Sequence, residues 1–573
     1  MNIGKRLIGV AVATALAGGM AVSGSAAAAG LVQVQHNVSP VVARASMTGH
    51  HDPRAQLDVV IALKLRNTAQ LTQFVHDLND PASPNYRKFL TAKQFTRFYG
   101  PSQAQVDEVL GFLKQRGIAV DRGDVSKGRT RVHFHATTAV LESAFGVAIN
   151  DYTVNGRSFY AAATNPNIPA SLANRIGAVM GLDNAAEFKP HSIPSLAATD
   201  HGGLTPTGFS PNQIATAYHW PSVTDANQAS GVNIAIVTAF TYRPADIKKF
   251  WDQYGLPHHT LTNIAIGGVT RRLNGETTLD VERSSAMAPG AGMLVYEAVN
   301  PAFSNFDLAF QAVADDDTAD VVSTSWGLAE RDTPFASLQS EHNVFVQLSA
   351  QGMPLMAAAG DNGAPDNASS GSDNADFPSS DPLVTAAGGT SLFLNGDDSI
   401  NSESAWSGAG GADSMFFTVP AYQSGFTGNA ACDADHTADF DGGWGCTSAG
   451  ADTRQSSDMA MNADPGTGYS VYYNGRWATF GGTSFVAPEL AGFFAIVTAR
   501  YRTLAAVNTV RIGNANTIIY DVANGANYST DFNDITTGSN GFAAGAGWDH
   551  PTGWGTPKDA DALANDLAND LPL

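Results

Sequence analysis

The strongest constraint on this chain is the alternation of apolar, β-rich runs with helix-like segments beyond residue 207. "VNIAIVTA" is followed by "ADIKKFWDQYG" and "DVVSTSW" by "LQSEHNVFVQLSAQG", after which come "PLMAAAG" and "LVTAAGG". A strand that is apolar on both faces must be covered on both, and helices between strands are the connections that let neighbours run parallel. The pattern predicts an α/β domain, a parallel sheet with helices on both faces. Residues 55 to 185 read differently. There strand-like runs ("LDVVIALKL", "RTRVHFHA", "VAINDYTVNGRSFYAA") mix with helical ones ("TAQLTQFVHDL", "QAQVDEVLGFLKQRG", "TAVLESAFG"), which predicts a smaller α+β domain. Between the two, "EFKPHSIPSLAATDHGGLTPTG" carries Pro, Gly, Ser and Thr without periodicity and reads as an exposed linker. The chain has no internal repeat and no heptad array.

The N-terminus fixes the compartment. "MNIGKR" is a short basic region, "LIGVAVATALAGGMAV" is apolar but rich in Ala and Gly, and "SGSAAAAG" offers small-residue cleavage sites. Residues 1–28 are expected to be a secretory signal peptide, and the exported protein to be free of the membrane. The remaining divisions are a first domain over 29–185, a linker over 186–206 and a main domain over 207–573. Charge separates the domains. Residues 31–200 carry 17 Lys+Arg against 13 Asp+Glu, and residues 201–573 carry 13 against 40. Phosphate binding needs clustered cations, so nucleic acid is excluded as a partner of the acidic body. That body suits work in acid or simple solubility. Cys432 and Cys446 are the two cysteines; in an exported protein a local disulfide is expected, and neither has zinc-ligand spacing.

Active sites of parallel α/β sheets gather at the C-terminal ends of strands. Ser325 and Gly327 end "DVVSTSWG", Asp361 and Gly363 follow "PLMAAAGDNG", and Ser484 in "FGGTSFVAPELAG" opens a helix after "WATFGGTS". A nucleophilic serine needs a base, most often histidine. None of the 14 His lies in a segment suited to that role. What lies there is "NGETTLDVERSSAMAPGA", in which Glu276 and Asp280 are four apart and share a helix face. This is an acidic first turn favoured by the helix dipole, or a pair of interacting carboxyls with a raised pKa.

The ordered set "GETTLDVE…APGA", "SWG", "GDNG", "FPSSDPLVTAAGGTS", "NADPGTGYSVY" and "GGTSFVAP" resembles the sedolisin, or serine-carboxyl peptidase, family. "NDPASPNYRKFLTAKQFTRFYGPS" is similar to that family's pro-kumamolisin-type activation domain. The resemblance implies a subtilisin-like fold behind a ferredoxin-like prodomain. It also implies Ser484 as nucleophile, Glu276 as base in place of histidine, Asp280 as its orienting group, and Asp361 in the oxyanion hole. Ser325, Trp326 and Gly327 would bind substrate. The chemistry is coherent in acid, where a carboxylate is half-ionised and can relay a proton, and where Asp361 can be protonated and donate to an oxyanion. Protein or peptide substrates follow, with the prodomain as intramolecular inhibitor and a monomer as the expected state. Release by acid and cleavage in the linker between about Ala185 and Pro206 complete the expectation.

The closing segment "NDITTGSNGFAAGAGWDHPTGWGTP" reads on its own residues as a Gly-rich surface loop. The resemblance implies one structural Ca²⁺ held by the Asp534 and Asp549 side chains and the carbonyls of Ile535, Gly545 and Gly547, a donor set of hard oxygens. Two departures stand out: Ser457 replaces a proline of an "R-x-x-P-D" segment, and residues 425–452 read as an insertion. The expected function is a secreted, self-processing, acid-active serine endopeptidase. A glycosidase would need paired carboxyls but no serine at a helix start. A non-catalytic calcium-binding protein that keeps the fold is the other alternative.

Overall fold

Each strand of the main domain sends alternate residues into two different cores. In the strand Asn233–Ala239, Ile234 and Ile236 enter a core shared with helices Gly275–Met287 and Val486–Ala505. Ala235 and Val237 enter a second core with helices Phe303–Asp316 and Phe335–Ala350. This two-sided burial is why the strands read as continuous apolar runs. The computed structural model describes residues 30–195, 205–366, 374–426, 444–446 and 452–572. The signal-peptide segment, Cys432 with its expected pairing to Cys446, and most of the 425–452 insertion lie outside the described residues.

The central sheet has eight strands. Its order is Leu261–Ile266, Gly292–Ala298, Asn233–Ala239, Val321–Thr324, Leu355–Ala358 and Val384–Leu394, all parallel. Met459–Asn462 continues it in parallel beside Val384–Leu394, and Ile400–Ala405 pairs with that same strand antiparallel. The sheet is parallel with helices on both faces, as the alternation of strands and helices predicts, and the fold is subtilisin-like, as the family resemblance implies. No helix among the described residues is long and apolar enough to cross a membrane.

The first domain is α+β, built on two three-stranded antiparallel sheets: Gln56–Leu63 between Arg131–Thr137 and Ile176–Met180, and Ile149–Val154 between Ser46–His50 and Arg157–Ala162. Its helices start where the local chemistry directs. Gln103–Gln115 opens on a capping box in which Ser102 Oγ accepts from Gln105 N (3.3 Å) and the Gln105 side chain accepts from Ser102 N (2.8 Å). The run "VAINDYTVNGRSFYAA" is not one strand but a hairpin. Asn155 and Gly156 both adopt positive φ (50° and 79°), the geometry of a two-residue turn whose twist matches the flanking strands.

The two domains meet with complementary charge. Arg131, on a strand of the first domain, donates to Asp307 of the body (Nη2 to Oδ1, 2.8 Å), both buried. Lys127 pairs with Asp316 and Arg44 with Asp332. Val60, Leu71, Val75 and Phe95 fill the same core as Phe306, Phe310 and Phe345, so the docking surface is largely apolar with ion pairs.

The linker departs from expectation. It does not begin as an exposed segment: Phe188 and His191 are each only 1% exposed, and residues 189–195 run through a cleft of the body. The reason is backbone pairing, which a composition rich in Pro and Ser does not announce.

Candidate active site

Helix Gly275–Met287 is started by Asn274, whose side chain accepts from Glu276 N at 2.7 Å. The cap fixes the first turn, so Glu276 and Asp280 point from one face into the interior, each 1% exposed. Asp280 Oδ1 accepts from Ser325 Oγ at 2.5 Å. Ser325 Oγ is also 3.1 Å from the Ser484 carbonyl oxygen, and Ser484 Oγ donates to the Ser325 carbonyl at 3.3 Å. The three segments therefore converge: Gly275–Met287, the end of Val321–Thr324, and the turn before Val486–Ala505. Ser484 sits two residues before that last helix, with Pro488 in its first turn, where a missing N–H costs nothing.

Burial sets the electrostatics. It raises Glu276 well above the ordinary carboxyl range, and the charge of Asp280 adds to the effect. The nearby Ser192 and Ser484 hydroxyls oppose it, while the Ser484 hydrogen points to the Ser325 carbonyl and neither Glu276 oxygen has a hydrogen-bond partner among the described residues. Burial pushes Asp280 up to about 8 against the hydroxyls of Ser325 and Thr238. Asp361 is pushed up to about 7, again by burial, while His191 and the N–H and hydroxyl of Thr483 hold it down. Asp361 Oδ1 accepts from Thr483 N (2.7 Å) and Thr483 Oγ1 (2.9 Å), and Oδ2 has no hydrogen-bond partner among the described residues.

The linker crosses this site as a third strand. Pro190 and Lys189 pair antiparallel with Trp326 and Gly327, and His191 N donates to Ser325 O at 3.0 Å. The His191 carbonyl oxygen accepts from Ser484 N at 2.9 Å. Gly482, at φ +119°, makes this approach possible. A Cβ there would lie 2.2 Å from His191 O and 2.3 Å from Asp361 Oδ2, so both oxygens converge over its bare α-carbon. Beyond the His191–Ser192 bond, Ile193 and Pro194 pair with Gly481 and Phe480.

Sequence reasoning missed the pocket that receives the His191 side chain. His191 Nε2 lies 3.1 Å from Asp376 Oδ2, both buried, and Asp366 completes a cluster whose ligand atoms lie within 4.8 Å of one another. Gly327 makes room: a Cβ there would stand 1.8 Å from Asp376 Oδ1 and 2.6 Å from His191 Nε2. Asp376 immediately precedes "FPSSDP", but nothing local marks it as lining a cleft.

At the C-terminus, the loop gathers the residues expected to hold calcium. Both oxygens of Asp534 accept from Gly547 N (3.1 and 3.2 Å), and Asp549 Oδ2 accepts from Gly545 N at 2.9 Å. Burial pushes Asp549 up to about 6. Neither carboxylate has a Lys or Arg ion pair among the described residues. Each acid is held by a glycine N–H of the same loop, and carboxylate oxygens with no cationic side chain paired to them are the donor type that suits a hard cation.

Comparison with known proteins places this arrangement. The description "Subtilase family" matches residues 260–555, and "Pro-kumamolisin, activation domain" matches residues 43–185. The chain belongs to the subtilase family. Sedolisin of Pseudomonas sp. (strain 101) is 27% identical over 87% of this chain and 85% of its own length. Kumamolisin of Bacillus sp. (strain MN-32) is 29% identical over 88% and 90%. Tripeptidyl-peptidase 1 of Bos taurus is 25% identical over 91% and 93%. A solved structure of Pseudomonas sedolisin, a serine-carboxyl proteinase with two molecules of pseudo-iodotyrostatin, superposes with a TM-score of 0.54 at 25% identity, covering 64% of this chain and all of that one. Within its family the chain is of the sedolisin kind: a serine-carboxyl peptidase made as a zymogen, with its prodomain as intramolecular inhibitor.

Proposed function

We propose that this zymogen is an exported, acid-active endopeptidase that cleaves its own linker at His191–Ser192 and then extended protein substrates. The observation that carries the reading is the hydrogen bond from Ser484 N to the His191 carbonyl oxygen, made while the linker pairs with Trp326–Gly327 on one side and Phe480–Gly481 on the other. That is the register of a substrate with its carbonyl at the nucleophile.

In this reading Glu276 takes the Ser484 Oγ proton as Oγ bonds to the carbonyl carbon. The developing oxyanion receives the Ser484 N–H and a hydrogen bond from protonated Asp361 Oδ2. Glu276 passes its proton to the leaving amine as the C–N bond breaks, and an acyl-enzyme remains. Water then attacks with Glu276 again as base, releasing the acid and restoring Ser484. Two buried carboxyls this close share one proton. Asp280 Oδ2 and both oxygens of Glu276 lack hydrogen-bond partners among the described residues, so the pair holds that proton between them, with Glu276 as the member facing Ser484. Asp280 therefore orients and polarises the base.

Residues Ser325, Trp326 and Gly327 align the substrate backbone, and Asp376 selects a cationic side chain before the cut bond. The loop of Asp534, Ile535, Gly545, Gly547 and Asp549 holds one Ca²⁺, which when bound neutralises the two carboxylates and ties the C-terminal loop together. Residues 1–28 direct export.

The reading is tested by digestion of an unfolded protein across pH 2 to 8. Activity confined to acid, and lost in both Ser484→Ala and Glu276→Gln, is the expected result. Neutral-pH activity that survives Glu276→Gln would mean that another base serves Ser484.

A further inference from the structure

The chain does not leave the cleft at Pro194. Ser195 N donates to Thr479 O at 2.9 Å, which extends the antiparallel pairing with the strand Arg476–Gly481 by one more residue. Counted from the His191–Ser192 bond, Ser195 is the fourth residue on the leaving side. It reaches the edge of a cavity of about 580 Å³, within the range of peptide-sized ligand sites. One wall of this cavity is apolar, made by Phe209, Leu392, Phe393 and Leu394. The rest of the lining is polar: Gln213, whose amide donates to Asp398 Oδ1 at 3.0 Å, together with Asn395, Thr479 and the backbone at Gly466–Gly468.

The floor is rigid. Phe209 N donates to Gly468 O at 2.8 Å, and Gly208, at φ +83°, lies so close that a Cβ there would be 2.6 Å from that same oxygen. Leu392 is fully buried in the central sheet, whereas Phe393 is 52% exposed. A large aromatic side chain standing in solvent on the rim of a preformed concavity, continuous with a substrate cleft, is the mark of a binding surface. The sequence that follows Ser195 is Leu196-Ala197-Ala198, which is apolar.

We propose that this cavity binds the fifth residue beyond the cut bond and selects an apolar side chain there, with Phe393 and Leu394 as specificity-determining residues. The inference rests on the proposed cleavage register. It deepens that reading by committing the enzyme to substrates that continue at least five residues past the cut, a requirement that favours cutting inside chains over trimming their ends.

The test uses the full chain after acidification to pH 4 and three peptides that share Lys-Pro-His-Ser-Ile-Pro-Ser. One ends there, one continues with Leu-Ala, and one continues with Asp-Ala. The Leu-Ala peptide is expected to show at least tenfold higher kcat/KM than the short one, mainly through KM, and the Asp-Ala peptide no gain. Phe393→Ser should lose the gain while cutting the short peptide at the wild-type rate. Equal kcat/KM for short and Leu-extended peptides, or a gain that survives Phe393→Ser, would overturn the site. Failure to cut any of the three between His and Ser, with unfolded protein still digested, would sink the register and the site with it.

Discussion

The carbonyl oxygen of His191 accepts a 2.9 Å hydrogen bond from the backbone N–H of Ser484, and Asp361 Oδ2 points at the same spot over Gly482. In the proposed reading this peptide bond is the first one cut. Acidified zymogen should yield a first new N-terminus at Ser192, read by mass spectrometry, and Ser484→Ala should stay intact. A first cut elsewhere in the linker, with Ser192 never exposed, would remove the register from consideration.

In the proposed mechanism Asp361 supplies a donor only while protonated, and burial pushes it up to about 7. Activity should therefore fall as pH rises through about 7. Asp361→Asn keeps a donor at every pH and should flatten that alkaline limb. Asp361→Ala should cost about 10²–10³ in kcat, the usual cost of losing one oxyanion donor. A pH–rate profile of Asp361→Asn that matches the wild type would place the alkaline limb on another group.

The pocket under His191 makes a charge prediction. With Asp376 Oδ2 3.1 Å from His191 Nε2, peptides with Lys, Arg or His before the cut should be preferred. Burial pushes Asp376 well above the ordinary carboxyl range, so the preference for Lys and Arg should grow as pH rises and should be lost in Asp376→Asn, with peptides carrying a neutral residue there spared. Gly327→Ala should impair large side chains at this position generally, since its Cβ would meet Asp376. Unchanged selectivity in Asp376→Asn would show that the pocket is used differently.

Stability should run opposite to that of most proteins. Asp280, Asp361 and Glu330 are raised by burial to about 8, about 7 and about 7. Unfolded, each titrates near the ordinary value, so between about pH 4 and 8 the folded state holds protons that the unfolded chain has lost. The penalty is absent below that window and complete above it. Urea midpoints of Ser484→Ala, which cannot digest itself, should fall from pH 5 to pH 8; a rise would contradict the assignment.

Calcium makes a separate prediction. Chelation should lower the Tm of Ser484→Ala, and re-addition of Ca²⁺ at about 100 times Kd should restore about 2.7 kcal/mol. Asp549→Asn should have a low Tm that chelator no longer changes. A wild-type Tm indifferent to chelator would leave the C-terminal loop as a plain loop.

Much of this protein is determined by local sequence. The apolar run of Asn233–Ala239 has only one stable environment, covered on both faces, and so dictates a parallel sheet between helices. The four-residue spacing of Glu276 and Asp280 is enough to put them on one face once Asn274 starts the helix. Two features depart from the sequence reading: one has a local signal, the Asn-Gly pair at a two-residue turn, and the other depends on pairing with segments far away in the chain. The Asn-Gly turn split one strand-like run into a hairpin, and "KPHSIPS", which reads as an exposed linker, was drawn into the cleft by Trp326–Gly327 and Phe480–Gly481. Asp376 became a pocket residue only because Gly327, about fifty positions earlier, leaves space for it. Periodicity and capping act over a few residues and can be read along the chain. Which carboxylate meets which backbone is decided by close packing and by the need of buried polar groups for partners, and those are settled only when the whole chain has folded.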